Sequence, residues 1–462
     1  MPVHFIAYYT CLLHLPTNRK LQTMEFPLYL LVLLVWANRW FVGLYLKVVR
    51  RRQFQETDEN FEPTVTIVTP MFNEGRGIFD SIASMLALDY PAHKLSIIVV
   101  DDRSTDDSYT WARLAADQNP QRVTVMRNAV NMGKRKSIAR AVRSTDAEII
   151  VSIDSDVVVD PSAIRALVRQ FTSPRIAAVG GRVFVSNPND SWLTKMQVIK
   201  YFLGYEYLKS LERAFHSVMC LSGCLTAYRR TVLLELETVL ENRNLFGVPI
   251  KYGEDRFLTR QIVKAGYETY CTMDAFCWTF APTTYSKYFA QQLRWRRSNL
   301  VDIMGGVTHA ARLHPVVGLH YMCSGALLIA YPIAVAQKLM AGTFWDLAAF
   351  HLLVLAVFGA LYAVHARRLP RNMRVHPLHF LSMAVVMPVT YIVCTTLAMF
   401  TLDSSSWETR GHVAQSFAFA PGATTPARIV QAAPRGHHEA ELAESALTAV
   451  GSAEPAQTEV AV

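Results

Sequence analysis

The stretch Glu148–Asp160, EIIVSIDSDVVVD, decides how the rest of the chain is read. Its apolar run, Ile149, Ile150, Val151 and Ile153, has the composition of a buried strand and ends on two carboxylates, Asp154 and Asp156. Side chains alternate faces along an extended chain, so two acids two residues apart point the same way and can share one hard cation with a substrate phosphate. A D-x-D triplet is equally at home in a solvated strand-to-loop turn. Its neighbours must choose between the two readings.

Upstream, strand-like and helix-like segments alternate from Pro63: VTIVTP (65–70), a helical pattern over Ile78–Leu88, LSIIVVDD (95–102), a helical pattern over Ser108–Gln118, VTVMR (123–127), and a third helical pattern over Lys134–Arg143. That order predicts a parallel α/β sheet, in which ligands bind beyond the carboxyl ends of the strands. Those ends carry Asn73 and Glu74, Asp101 and Asp102, Asn131 with Gly133, Lys134 and Arg135, and finally Asp154 and Asp156. Acids for a nucleoside and a metal, with cations opening a helix whose free amides attract phosphate, make the donor set of a nucleotide-diphosphate site. Taken singly, Asp102, Ser104 and Asp106 could cap a turn, and Lys134 to Lys136 could start a solvated helix. Four polar endings on four successive strands favour a site.

Downstream, Trp192, Leu193, Met196, Ile199, Leu203 and Tyr207 recur at helical spacing, which suits core packing or a membrane surface. SGCLTAYRR (222–230) is turn-rich, and KYGEDRFLTRQ (251–261) places Glu254 and Asp255 at a helix start, where acids offset the dipole or serve as a base. QQLRWRRS (291–298) alone reads as a basic amphipathic helix on lipid headgroups.

The chain has 462 residues, enough for two or three domains, and its 51% hydrophobic content predicts that part of it sits in lipid. A net charge of +9 suits anionic lipid or an acidic substrate; with no compact basic arm or zinc-finger spacing, nucleic acid is excluded as a partner. The seven cysteines are scattered and frame neither disulfides nor a zinc site. Residues 1–24 read as an interfacial or loose segment and 25–46 as a transmembrane helix; Lys47, Arg50, Arg51 and Arg52 after it put the following domain, 60–280, in the cytoplasm. Residues 281–315 read as interfacial helices. Within 316–402 lie three apolar stretches, Val316–Gln337, Phe344–His365 and Leu378–Leu402, the last interrupted by Pro388. Residues 412–462 have the composition of a disordered tail.

In this order, NMGKRKS, SIDSD, SGCLTAYRR, GEDRFLT, QQLRW and SSWETR resemble the processive family 2 glycosyltransferases, and within them hyaluronan synthases and their relatives, the nodulation chitooligosaccharide synthases and chitin synthases. The resemblance runs from about Thr64 to Gly411. It implies an α/β GT-A (Rossmann-like) glycosyltransferase domain embedded between transmembrane and interfacial helices of the plasma membrane, multi-pass, with the catalytic domain cytoplasmic. The implied activity is inverting polymerisation of UDP-sugars into a β-linked polysaccharide passed across the bilayer. By the family pattern, Glu74 and Asp102 resemble uridine contacts, Lys134 lies near the donor diphosphate, and Asp154 and Asp156 look like the site of Mg2+ or Mn2+. Asp255 resembles the catalytic base. Gln291, Arg294 and Trp295 match the Q-x-x-R-W motif that holds diphosphate and acceptor sugar, and Trp407 and Arg410 resemble the W-x-x-R gating loop in 403–411.

Departures concern the product. Hyaluronan synthases commonly read SGPL where this chain has Ser222, Gly223, Cys224 and Leu225, and GDD where it has Gly253, Glu254 and Asp255, the latter form being closer to chitooligosaccharide synthases. FGVPIKYGEDR (246–256) and HPLHFL (376–381) resemble the bacterial hyaluronan synthases. The expected product is therefore hyaluronan, from UDP-GlcNAc and UDP-GlcA; the alternatives are chitin or a chitooligosaccharide from UDP-GlcNAc alone, and a non-processive, lipid-primed transfer. Three full crossings after the catalytic domain would leave Trp407 and Arg410 outside the cell, so Leu378–Leu402 is expected to turn at Pro388 into an interfacial helix rather than cross.

Overall fold

Strands β1 (Val65–Met71), β2 (Leu95–Asp101), β3 (Val123–Arg127) and β4 (Ile149–Ser152) are the centre of the fold. All residues of β1 and β4 are buried, as are all of β2 except Ser96, which is why these strands read as near-continuous apolar runs rather than alternating ones. Helices α1 (Gly77–Leu86), α2 (Ser108–Gln118) and α3 (Lys134–Arg143) connect them, α2 and α3 with the boundaries their sequence pattern predicts. A computed structural model provides these coordinates, and it describes residues 57–403 apart from 246, 251, 368 and 370–372. The expected helix at 25–46, the segments 1–24 and 412–462, and the pair Trp407 and Arg410 lie outside the described residues.

The chain continues through β5 (Val157–Val159), β6 (Ile176–Val185), helix α4 (Trp192–Phe202), β7 (Thr226–Arg229), the two-residue ribbon strands β8 (Asn244–Leu245) and β9 (Val248–Pro249), helix α5 (Glu254–Lys264) and β10 (Glu268–Thr279). The main sheet has the order β3-β2-β1-β4-β7-β6-β10-β5. Its first four strands are parallel, in register from Val65 beside Leu95 and Ile149, so their carboxyl ends share one rim. The expected parallel sheet stops there. β7 runs antiparallel to both β4 and β6, and β5 antiparallel to β10.

This mixed half corrects the reading of Asp154 and Asp156. β4 ends at Ser152, and both acids lie in the turn before β5, so strand alternation does not set their direction. The turn leaves both half-buried, where their charge stays partly solvated; inside a strand buried on both faces it would not.

Helix α6 (Tyr285–Met304) follows β10, then α7 (Pro315–Met340) and α8 (Phe344–Ala366). Among the described residues α8 is long and apolar enough to cross a membrane; α7 is bent by 42° between Pro315–Leu328 and Ala330–Met340, and counts as a second only if the bent pair is one span. Pro332 lies just past that break and lacks the N–H that would bond back across it. Of the stripe that begins on α4, Leu193, Met196 and Ile199 are buried with Phe202, Tyr288, Tyr362 and Phe380, whereas Trp192 is exposed.

Leu378–Leu402 does not make one helix bent at Pro388. It is a succession of a 3-10 turn at Pro377–Ser382, an α-helix at Met383–Val389 that contains Pro388, a π-turn at Thr390–Cys394 and a last helix at Thr395–Met399. The segment ends against the catalytic domain: Tyr252 OH donates to Leu402 O (2.7 Å), and Arg297 Nε donates to Thr401 Oγ1 (3.0 Å).

Candidate active site

The rim of the parallel strands is stitched by its own loops. After β1, Asn73 N donates to Ser104 Oγ (3.0 Å) and Glu74 N to Ser108 Oγ (2.7 Å), binding this loop to the one after β2. Asp102 is fully buried and accepts from Asn128 Nδ2 (2.8 Å), Met132 N (2.7 Å) and Gly133 N (2.8 Å). Its carboxylate therefore shapes the loop that starts α3, a duty the sequence did not announce. Glu74 reaches the D-x-D turn itself, where Ser155 Oγ donates to Glu74 Oε1 (2.9 Å).

Lys134 opens α3 and joins two acids from distant parts of the chain: its Nζ is 2.6 Å from Asp154 Oδ1 and 2.6 Å from Glu254 Oε1. Burial pulls the ammonium toward neutrality, but the two carboxylates outweigh it and hold its pKa well above the ordinary lysine value. A backbone without a side chain lets the loop before β7 approach; a Cβ on Gly223 would stand 2.9 Å from Lys134 Nζ. Cys224 Sγ lies 3.6 Å from Asp154 Oδ2, and Thr279 Oγ1 3.4 Å from Asp156 Oδ2.

Glu254 and Asp255 form the first turn of α5, and their environments separate them. Burial would raise the Glu254 carboxyl, but Lys134 and then Arg294 bring it down to about 2, so it stays ionised. Asp255 goes the other way: burial and the neighbouring Glu254 charge raise its pKa against the opposing pull of Lys134 and the Arg256 amide. One acid is thus a fixed anion and the other a proton acceptor of raised basicity, the division of labour that general base catalysis needs. Gly253 lets α5 start against α6, with φ of +65° and a position so close that a Cβ would fall 1.9 Å from Ser298 Oγ.

The Q-x-x-R-W segment lies along α6. Arg294 acts on Glu254 electrostatically; Gln291 is buried beside Gln292, whose Nε2 donates to Gln291 Oε1 (3.3 Å); Lys200 Nζ sits 5.1 Å from the centre of the Trp295 ring. Gln291, Gln292, Arg296 and Ser298 are all buried, so this helix is not the freely exposed basic surface its composition alone suggested. A pocket open in part to solvent is lined by Lys134, Glu254 and Asp255 together with Ile138, Val142 and Leu258.

Among the described residues no three His, Cys, Asp or Glu side chains are grouped to enclose a metal. Asp154 and Asp156 nevertheless offer hard oxygen donors on one half-buried turn, the arrangement by which Mg2+-type ions are bound through one or two carboxylates, with diphosphate oxygens and water completing the shell. The donor set fits such an ion.

Of the residues named from sequence, the structure gathers Glu74, Lys134, Asp154, Asp156, Asp255 and Arg294 around one rim, with Gln291 and Trp295 on the same helix as Arg294. Glu254 as the second partner of Lys134, Ser155 and Gly223 were missed. The G-E-D triplet carried a signal for Glu254, whereas nothing local marks Ser155.

Residues 63–298 match the profile described as Glycosyltransferase like family 2. The chain belongs to that family. Similar proteins include an N-acetylglucosaminyltransferase of Rhizobium leguminosarum bv. viciae, 30% identical over 364 residues that cover 78% of this chain and 84% of the relative. Another from Rhizobium meliloti (strain 1021) is 30% identical over 359 residues, covering 75% and 82%. A mannosyltransferase from Pyrobaculum calidifontis, solved in complex with GDP-Man and Mn2+, superposes with a TM-score of 0.50 at 20% identity over 81% of this chain and 96% of its own. That likeness concerns the fold: this glycosyltransferase is built on the GT-A architecture, with the curled mixed sheet described above.

Proposed function

We propose that this glycosyltransferase is an inverting N-acetylglucosaminyltransferase that extends a β-linked GlcNAc chain from UDP-GlcNAc. The observation that carries the chemistry is the divided acid pair on α5, Asp255 with a raised pKa beside a Glu254 kept ionised by Lys134. Asp255 takes the proton of the acceptor hydroxyl as its oxygen bonds to the anomeric carbon, and the bond from that carbon to the diphosphate breaks with its electron pair leaving on UDP. Lys134 and Arg294 offset the charge that collects on the leaving group. A divalent ion held by Asp154 and Asp156 would add Lewis-acid neutralisation there when bound; the Mn2+ in the mannosyltransferase complex lends support.

Support for the sugar comes from the relatives, which bear the name N-acetylglucosaminyltransferase. Hyaluronan, expected from FGVPIKYGEDR and HPLHFL, has no comparable support, nor has UDP-GlcA as a second donor; the chitooligosaccharide alternative takes its place. Helix α8 supports attachment to a membrane. The bond from Tyr252 to Leu402 favours a return of the chain to the catalytic side before residue 403, which would keep Trp407 and Arg410 within reach of the donor site as gating residues.

The test is purified protein in detergent given UDP-GlcNAc alone, UDP-GlcA alone and both, with Mg2+ or Mn2+. Chitinase-sensitive product from UDP-GlcNAc alone is expected. Product that forms only with both donors would overturn the single-donor reading.

A further inference from the structure

Lys200 occupies a place that packing alone does not favour. It lies on α4, whose first turn is fixed by a reciprocal pair of bonds, Ser191 Oγ with Thr194 N (3.2 Å) and Thr194 Oγ1 with Ser191 N (3.1 Å). Two further bonds fasten α4 to the segment that leads into α6: Gln197 Nε2 to Pro282 O (3.0 Å) and Trp192 Nε1 to Tyr285 OH (2.8 Å). From this anchored helix the lysine points at the face of α6 that carries the Q-x-x-R-W residues. Its Nζ donates to Gln292 Oε1 and stands 5.6 Å from the Tyr288 ring centre and 5.1 Å from that of Trp295. A cation is costly in such surroundings, and burial together with the nearby Arg296 pushes its pKa down to about 7.

The hydrogen-bond inventory gives this placement a direction. An ammonium has only donors, so Gln292 must offer it the carbonyl oxygen. The Gln292 NH2 then donates to Gln291 Oε1 at 3.3 Å, which turns that oxygen toward Gln292 and leaves the Gln291 NH2 on the other side of its amide. Gln292 is 2% exposed and Gln291 7%, so water does not scramble the order. Without the lysine, either amide could turn over and present an acceptor instead.

We propose that Lys200 is a positioning residue for glycosyl transfer: acting through Gln292, it fixes the Gln291 amide as a donor, and by its cation–π contact it holds the Trp295 ring, so that both meet the acceptor sugar in one arrangement. This rests on the reading that Gln291 and Trp295 face the acceptor. A sugar oxygen finds an N–H at Gln291 rather than a competing lone pair. The lysine touches neither donor nor acceptor, and its influence falls on acceptor geometry rather than on the leaving group.

The test compares Lys200→Met, Lys200→Arg and Gln292→Glu with the wild type in three assays: UDP binding by calorimetry, slow hydrolysis of UDP-GlcNAc by water, and transfer to a chitin tetrasaccharide. In Lys200→Met, transfer should fall about tenfold to a hundredfold with a raised acceptor KM, while UDP binding and hydrolysis stay at the wild-type level. Gln292→Glu, which can accept from Lys200 but not donate to Gln291, should copy it. Lys200→Arg, another pure donor, should recover most of the transfer. Wild-type transfer in Lys200→Met overturns the proposal, as does a parallel loss of UDP binding and hydrolysis or an Arg variant as poor as Met. A wild type that releases no UDP from UDP-GlcNAc overturns the donor reading and the proposal with it, whereas an active wild type beside an indifferent Lys200→Met overturns the proposal alone.

Discussion

The donor half of the site and the half proposed for the acceptor are made in different ways. Glu74, Lys134 and the Asp154–Asp156 turn hang on the ends of parallel strands whose register is fixed by seven successive Cα pairs between β1 and β2 and four between β1 and β4. Gln291, Arg294 and Trp295 sit on a helix that touches the catalytic helix at Gly253 and Ser298 and is steadied by side chains of α4. A sheet edge holds its residues by backbone pairing, which side-chain changes hardly disturb. A helix-on-helix arrangement holds them by packing and a few polar bonds, so single substitutions should retune it without unfolding the domain.

The sharpest way to separate the halves is Asp255→Asn. Transfer should fall by about 10^2- to 10^4-fold, while UDP binding, a property of the strand ends, survives in calorimetry; an equal loss of both would erase the distinction. Next is Lys134→Met, which leaves Asp154 and Glu254 facing each other without their shared cation. Breaking a buried ion pair on one side costs about 3 kcal/mol, to be read in denaturant unfolding, and UDP binding should weaken with it. Gly253→Ala tests the contact between catalytic helix and α6. With φ of +65° and Ser298 Oγ at 1.9 Å from the new Cβ, it should lower stability by about 2 kcal/mol and depress transfer more than UDP binding.

The smallest effect is one of pH. Asp255 must be ionised to accept a proton, so kcat/KM falls as pH drops through its raised pKa. Glu254→Gln removes the neighbouring negative charge that helps raise it, and the acid limb of the profile should move to lower pH. A limb that stays put would show burial acting alone.

The same contrast governs what could be read from the sequence. β1 to β4 and α1 to α3 were legible because β1, β2 and β4 are near-continuous apolar runs buried on both faces, the edge strand β3 is a short β-branched run, and each helix has its own period. Their polar endings fell on one rim because parallel pairing leaves no other choice. The antiparallel insertion of β7 was not legible, since nothing in TAYR tells which neighbour it joins, nor was the end of β4 at Ser152, which puts Asp154 and Asp156 in a turn. The bonds Asp102 accepts from Asn128, Met132 and Gly133 of the loop after β3 were not legible either, because an acid at a strand end looks the same in sequence with or without such donors. The pairing of Lys134 with Glu254 and that of Lys200 with Gln292 join residues too far apart in the chain to leave a local trace. The breaks through Pro377–Met399 are changes of helix type in the backbone, which hydropathy does not register.

The clasp of Tyr252 and Arg297 on Leu402 and Thr401 closes a loop that runs 150 positions along the chain, from Tyr252 to Leu402. The entropy of such a closure grows only with the logarithm of loop length, so two side-chain bonds can tie the chain beyond Thr395–Met399 to the start of α5 at little more cost than a join between near neighbours.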